Sequence, residues 1–187
     1  MKRLVLPPSE RGFTLIEVLV AILLVAIGIF GFAKMQALAL SSTQVSSARS
    51  IVSMQASSLA AAMQGNRTYW ASGVAPASFS TAQSTVTDAT GVLSATVGSC
   101  EAAAKPATPA CTSAQLAARD VQQWASNLAN LLPTSSSTVS CSTSTSVPVS
   151  CVLTISWKER YVASTRATAS DSAATGGSRS FTLYIEP

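Results

Sequence analysis

An almost uninterrupted apolar run lies near the start of the chain. From Phe13 to Ala33, 21 residues contain one charge, Glu17, and Val18 to Ala33 contain none. As an α-helix, ~20 such residues cross a bilayer core. The window from Met35 to Gln64 has no Pro and no Gly, and Arg49 is its only charge. Met35, Leu38, Val45, Ala48 and Val52 recur there at roughly helical spacing. The pattern predicts one helix from near Phe13 to about Gln64, stopped by Gly65-Asn66. At 1.5 Å per residue, ~50 residues span ~75 Å.

Beyond Asn66 the signals are shorter. Tyr69-Trp70 are expected to pack the following domain against the long helix. Val92 to Val97 reads as a short strand after a Thr90-Gly91 turn. Thr112-Ser113-Ala114-Gln115 has the spacing of a capping box. Ala117, Val121, Trp124, Leu128 and Leu131 follow in steps of 4, 3, 4 and 3, one helix face, and Pro133 ends it. Val147, Val149, Cys151, Leu153, Ile155 and Trp157 alternate with Pro148, Ser150, Val152, Thr154 and Ser156, a period-2 strand with its odd positions inward. Thr138 to Ser142 is expected to pair with it as a hairpin. Ser180 to Ile185 gives a last strand with Phe181, Leu183 and Ile185 on one face. Lys158 to Arg179 is a long polar connection with a Gly176-Gly177 turn. Together these elements predict an α+β fold: a small antiparallel sheet with helix packed on one face.

Charge adds orientation. Lys2, Arg3 and Arg11 precede the apolar run, and the positive-inside bias puts the N-terminus in the cytoplasm. A cleaved signal peptide is the competing reading, because Ala37-Leu38-Ala39 matches the small-x-small cleavage pattern. Against it, the apolar run exceeds the ~7–15 residues of a signal core, and it carries Glu17. A carboxylate at mid-span costs ~2.5–3.5 kcal/mol on insertion scales, and less near an end.

Composition narrows the chemistry. The chain has 187 residues, 48% hydrophobic and 11% charged, and 50 of them are Ser or Thr. There is no His, which excludes a Ser/His/Asp triad, a Cys/His pair and a His metal site. A net charge of +4 without clustering argues against a nucleic-acid surface. Cys100, Cys111, Cys141 and Cys151 form no C-x-x-C, and on the extracytoplasmic side they are expected to form disulfides. Four cysteines allow three connectivities. Position favours Cys100–Cys111 and Cys141–Cys151, with a crossed pairing as the alternative. Asn66-Arg67-Thr68 matches a glycosylation tripeptide, which carries no weight alone.

Arg11-Gly12-Phe13-Thr14-Leu15-Ile16-Glu17-Val18-Leu19-Val20 resembles the prepilin motif of type IV pilins and type II secretion pseudopilins. The resemblance implies that a prepilin peptidase cuts between Gly12 and Phe13 and that Phe13 becomes N-methylated. Glu17 would then be the fifth residue of the mature chain. The freed ammonium of one subunit can pair with Glu17 of a neighbour, which makes a buried carboxylate tolerable. The implied organisation is a leader at 1–12, a membrane-embedded half-helix at 13–33, an exposed half-helix at 34–65 and a globular α+β head at 66–187. Asp120-Val121-Gln122-Gln123-Trp124, Leu131-Leu132-Pro133 and Val152 to Trp157 are similar to the head of PilV-type minor pilins, as are Met63-Gln64-Gly65-Asn66 and Tyr69. Gln64-Gly65 departs from that pattern.

The implied function is that of a minor pilin that primes assembly or caps the tip. It would sit in the inner membrane as a single-pass precursor and then in a cell-surface pilus. Implied partners are other minor pilins, the major pilin, the prepilin peptidase and the inner-membrane assembly platform. No enzyme activity and no cofactor or metal is implied. The alternatives are a type II secretion minor pseudopilin and an exported binding protein starting at Leu40.

Overall fold

Helix α1 runs without a break over Leu15–Gly65 in a computed structural model that describes residues 12–98, 100, 111–142, 148–159 and 177–187. It meets the expected C-terminal stop and is followed by one turn, α2 (Arg67–Trp70). The chain forms two units, Met1–Leu40 and Ser41–Pro187. In the first, the helix surface is exposed almost throughout. In the second, α1 buries Val52, Ala56, Leu59 and Met63, whose steps of four, three and four describe one face.

The other elements of the second unit are β1 (Ser78–Ala82), β2 (Thr85–Asp88), α3 (Ser113–Leu131), β3 (Ser136–Cys141), β4 (Cys151–Glu159) and β5 (Gly177–Ile185). The strands form one antiparallel sheet in the order β2-β1-β3-β4-β5. The α+β architecture is as expected.

Its core joins Val52, Leu59 and Met63 of α1, Trp70, Phe79, Val86, Leu93, the buried face of α3, and Val139, Leu153, Ile155, Trp157 and Ile185. Tyr69 and Trp70 are both buried, and Trp70 packs against Phe79 at 5.8 Å between ring centroids.

Helix α3 begins with the predicted capping box. Thr112 Oγ1 accepts from Gln115 N at 3.3 Å, and Gln115 Oε1 accepts from Thr112 N at 2.9 Å. Its buried face holds Ala117, Val121, Trp124 and Leu128 with Ala118 and Ala125. Leu131 is a correction: it is 48% exposed. The helix ends at this residue, and the following Leu132 packs against the core in its place. Trp124 Nε1 donates to Gln55 O at 2.8 Å and ties α3 to α1.

The expected strand at Val92 to Val97 does not exist. Side chains claim its backbone groups instead. Asp88 accepts from Val92 N, Ser94 N and the Ser94 hydroxyl, while Gln122 Nε2 donates to Leu93 O and Ala95 O at 2.7 and 2.8 Å. Only Leu93 turns inward, fully buried. The strands of this region lie earlier, as the hairpin β1–β2. Its loop is Gln83-Ser84, between the paired Ala82 and Thr85. Gln83 has φ +54°, where Gly or Asn is usual, so the sequence lacks the customary turn signal.

The polar connection is also shorter than expected. Lys158 and Glu159 complete β4, and Gly177 to Arg179 begin β5. Residues 160–176, Gly176 included, and Val147 lie outside the described residues. Asn66 is buried, and its Nδ2 donates to Ser113 O at 2.7 Å. That bond occupies the amide a glycan would need.

Candidate functional site: the N-terminal motif

Gly12, Phe13 and Thr14 precede the helix in non-helical backbone. Phe13 is 82% exposed, and a Cβ added at Gly12 would meet nothing within 4 Å. The Gly12–Phe13 bond is thus sterically open among the described residues.

Thr14 starts α1. Its hydroxyl accepts from Glu17 N at 3.3 Å, and its carbonyl accepts from Glu17 N at 3.1 Å and Val18 N at 3.3 Å. Thr14-Leu15-Ile16-Glu17 has the Thr-x-x-Glu spacing of a capping box. That spacing was a readable signal for Thr14 as a cap. The structure shows the Thr-to-backbone half of the box.

Glu17 stands in the first turn of α1, where a carboxylate complements the positive helix end. It is exposed, and among the described residues it has no ion-pair partner. The structure places Phe13 just before the Thr14–Glu17 cap, and among the described residues no ion pair joins Glu17 to it. Beyond Glu17 the helix presents exposed Val18, Leu19, Val20, Ile22, Leu23, Leu24, Ile27 and Phe30. Gly28 and Gly31 leave open space beside the helix. Among the described residues one helix, α1, is long and apolar enough to cross a membrane.

Residues 7–33 match the family model of the prokaryotic N-terminal methylation motif. The chain carries a prepilin-type methylation motif. That motif supports a type IV pilin-like or pseudopilin-like protein with a structural role. It implies processing by prepilin peptidase and assembly with other pilins. No curated protein and no solved structure matches the chain.

The second unit holds two polar clusters that the sequence did not announce. Glu159, buried at the end of β4, receives Arg49 Nε on Oε1 and Arg49 Nη2 on Oε2, both at 2.9 Å. Trp157 Nε1 donates to Oε1 at 3.2 Å, and Arg179 Nε lies 3.5 Å from Oε2. The Arg49 hydrogen bonds hold the Glu159 carboxyl below the usual range; burial opposes this, and Trp157 and Arg179 add to the lowering. Arg49 and Glu159 are 110 positions apart, so no local pattern could pair them.

In the other cluster, burial works against the charged form of Asp88. Hydrogen bonds from Thr90, Ser94 and nearby backbone N–H groups outweigh it, and the carboxyl sits below its ordinary range. Both clusters fasten backbone segments together. Among the described residues no His/Cys/Asp/Glu group could hold a metal ion.

The disulfides are Cys100–Cys111 and Cys141–Cys151, the pairing favoured by position. Cys141 and Cys151 are direct partners across β3 and β4.

Proposed function

We propose that this protein is a minor pilin of the type IV pilus, of the PilV kind. It is made as an inner-membrane precursor with a cytoplasmic N-terminus, cut between Gly12 and Phe13, methylated on Phe13, and built into the filament to prime assembly or cap the tip. The match of residues 7–33 to the methylation motif carries this reading. The open Gly12–Phe13 bond and the exposed Glu17 beside it support it.

The organisation follows from the cut. Residues 1–12 leave as the leader, and 13–33 stay as the membrane and filament segment. Residues 34–65 continue the helix, and 66–187 carry the head. Loss of Lys2, Arg3, Glu10 and Arg11 lowers the net charge from +4 to +2. In the filament, the Phe13 ammonium of one subunit meets Glu17 of a neighbour, and each offsets the other's desolvation. The partners are other minor pilins, the major pilin and the assembly platform.

Mass spectrometry of the mature N-terminus tests the reading. A methylated Phe13, absent when the prepilin peptidase is deleted, is the expected result. A chain beginning at Leu40 would refute it in favour of an exported protein with a cleaved signal. A type II secretion pseudopilin carries the same motif; deletion separates the two by loss of surface pili or loss of secretion.

A further inference from the structure

The two disulfides stand in different surroundings. Cys141 and Cys151 face each other across β3 and β4, two interior strands of the sheet. Cys151 is fully buried in the core, and Cys141 packs against that core. Hydrogen bonds hold the backbone around this bridge. Cys141 N donates to Ala77 O and Ser142 N to Ser150 O, both at 2.8 Å, and Ser150 N donates to Ser142 Oγ at 3.0 Å. Cys100 and Cys111 lie in no strand and no helix, and both are half-buried. Neither belongs to the core or to the side chains packed against it. Cys100 Sγ lies 4.0 Å from Gly98 O at an exposed position.

The segments on either side of Cys100–Cys111 are fastened without it. Before it, Asp88 accepts from Val92 N and Ser94 N, Gln122 Nε2 donates to Leu93 O and Ala95 O, and Leu93 sits in the core. After it, Thr112 and Gln115 close the capping box of α3, and Asn66 Nδ2 donates to Ser113 O. Opening this bridge leaves all of these contacts in place. Opening Cys141–Cys151 would instead put a thiol pair into the core between two central strands. A disulfide is exchanged when a thiolate reaches one of its sulfurs, so access decides which bridge reacts.

We propose that Cys100–Cys111 is a reversible redox site, opened by an external dithiol while the second unit stays folded, and that Cys141–Cys151 is a permanent structural bridge. One thiolate of the dithiol attacks Sγ of Cys100 or Cys111. The S–S bond breaks, a mixed disulfide forms, and the other cysteine leaves as a thiolate that takes up a proton. The second thiolate of the dithiol then attacks its own sulfur in the mixed disulfide and releases the remaining cysteine. The dithiol ends as a disulfide, two electrons pass to the protein, and two cysteine thiols result. Exchange with an oxidised thiol reverses these steps. The two cysteines are held near each other by the fastened segments on either side, which favours closure again. The proposal does not depend on cleavage at Gly12 or on assembly.

Purified full-length protein in detergent tests it. The oxidised protein is treated with dithiothreitol for graded times, free thiols are trapped by alkylation, and peptide mass spectrometry reads each cysteine. Labelling of Cys100 and Cys111 is expected to be about tenfold or more faster than that of Cys141 and Cys151, because the buried bridge reacts only when the sheet opens. Trp70, Trp124 and Trp157 are all buried, so their fluorescence reports the fold. It should be unchanged when only the first bridge is open, and oxidised glutathione should close that bridge again. Cys100→Ser with Cys111→Ser should keep the same fluorescence and leave Cys141–Cys151 as resistant as before. Equal rates for the two bridges, or earlier opening of Cys141–Cys151, would overturn the proposal. So would loss of the native fluorescence when Cys100–Cys111 opens or is removed.

Discussion

Trp124 makes the strongest single claim about how the second unit is held together. It is 4% exposed, lies in the core shared by α1, α3 and the sheet, and donates its indole N–H to Gln55 O at 2.8 Å. Trp124→Ala removes the whole ring and should cost ~3–5 kcal/mol, the usual range for an aromatic deleted from a core. Trp124→Phe keeps most of the packing and loses the hydrogen bond, worth ~0.5–1.5 kcal/mol, plus part of the ring volume. A domain has ~5–15 kcal/mol in total, so the alanine variant removes a large fraction of it. At ~2–4 °C per kcal/mol for a unit of this size, melting should fall by roughly 6–20 °C. Urea and thermal unfolding of the processed protein in detergent, followed by near-ultraviolet circular dichroism, measure both variants; Trp70 and Trp157 remain as reporters. A cost below ~1 kcal/mol for Trp124→Ala, or equal costs for the two variants, would refute a graded loss of packing and hydrogen bond.

The acid limb of stability should reflect Glu159. Its folded pKa is depressed, chiefly by Arg49, so its contribution is present above the ordinary carboxylate range and lost as pH falls through the folded value. Melting temperature against pH should therefore flatten below the ordinary range in Glu159→Gln, and an unchanged slope would remove Glu159 from the account. Gln83→Gly should stabilise by ~1 kcal/mol, since Gly accepts the positive φ that strains Gln83; a lower urea midpoint would contradict this. Replacing Cys141 and Cys151 together by Ala should cost ~2.5–3 kcal/mol by loop entropy at a separation of 10 residues, read as a lower urea midpoint; no shift would count against the bridge. Glu17→Ala should leave leader cleavage intact and reduce incorporation, scored by immunoblot of sheared filaments; normal incorporation would sink the ammonium–carboxylate pairing.

The long helix, α3 with its capping box, and the inward positions of β4 were legible in the sequence because each is periodic over many residues. A face repeats every three or four positions in Val52-Ala56-Leu59-Met63, and every second position in Cys151-Leu153-Ile155-Trp157. The methylation motif was legible because its chemistry lies in consecutive residues. The β1–β2 hairpin was hidden, because Phe79 and Val86 are the only large apolar residues in its two short strands and Gln83 stands where a turn glycine would have marked it. The strand expected at Val92 to Val97, after the Thr90-Gly91 turn, did not form because Asp88 and Gln122 took its hydrogen bonds.

Sequence alone determined the long apolar helix, the prepilin-type motif and the α+β class. Those depend on what each residue does beside its near neighbours. Tertiary structure alone decided the strand order and the Arg49–Glu159 clamp. These depend on groups tens of positions apart competing for the same hydrogen bonds and the same apolar cover, and no local pattern records who wins.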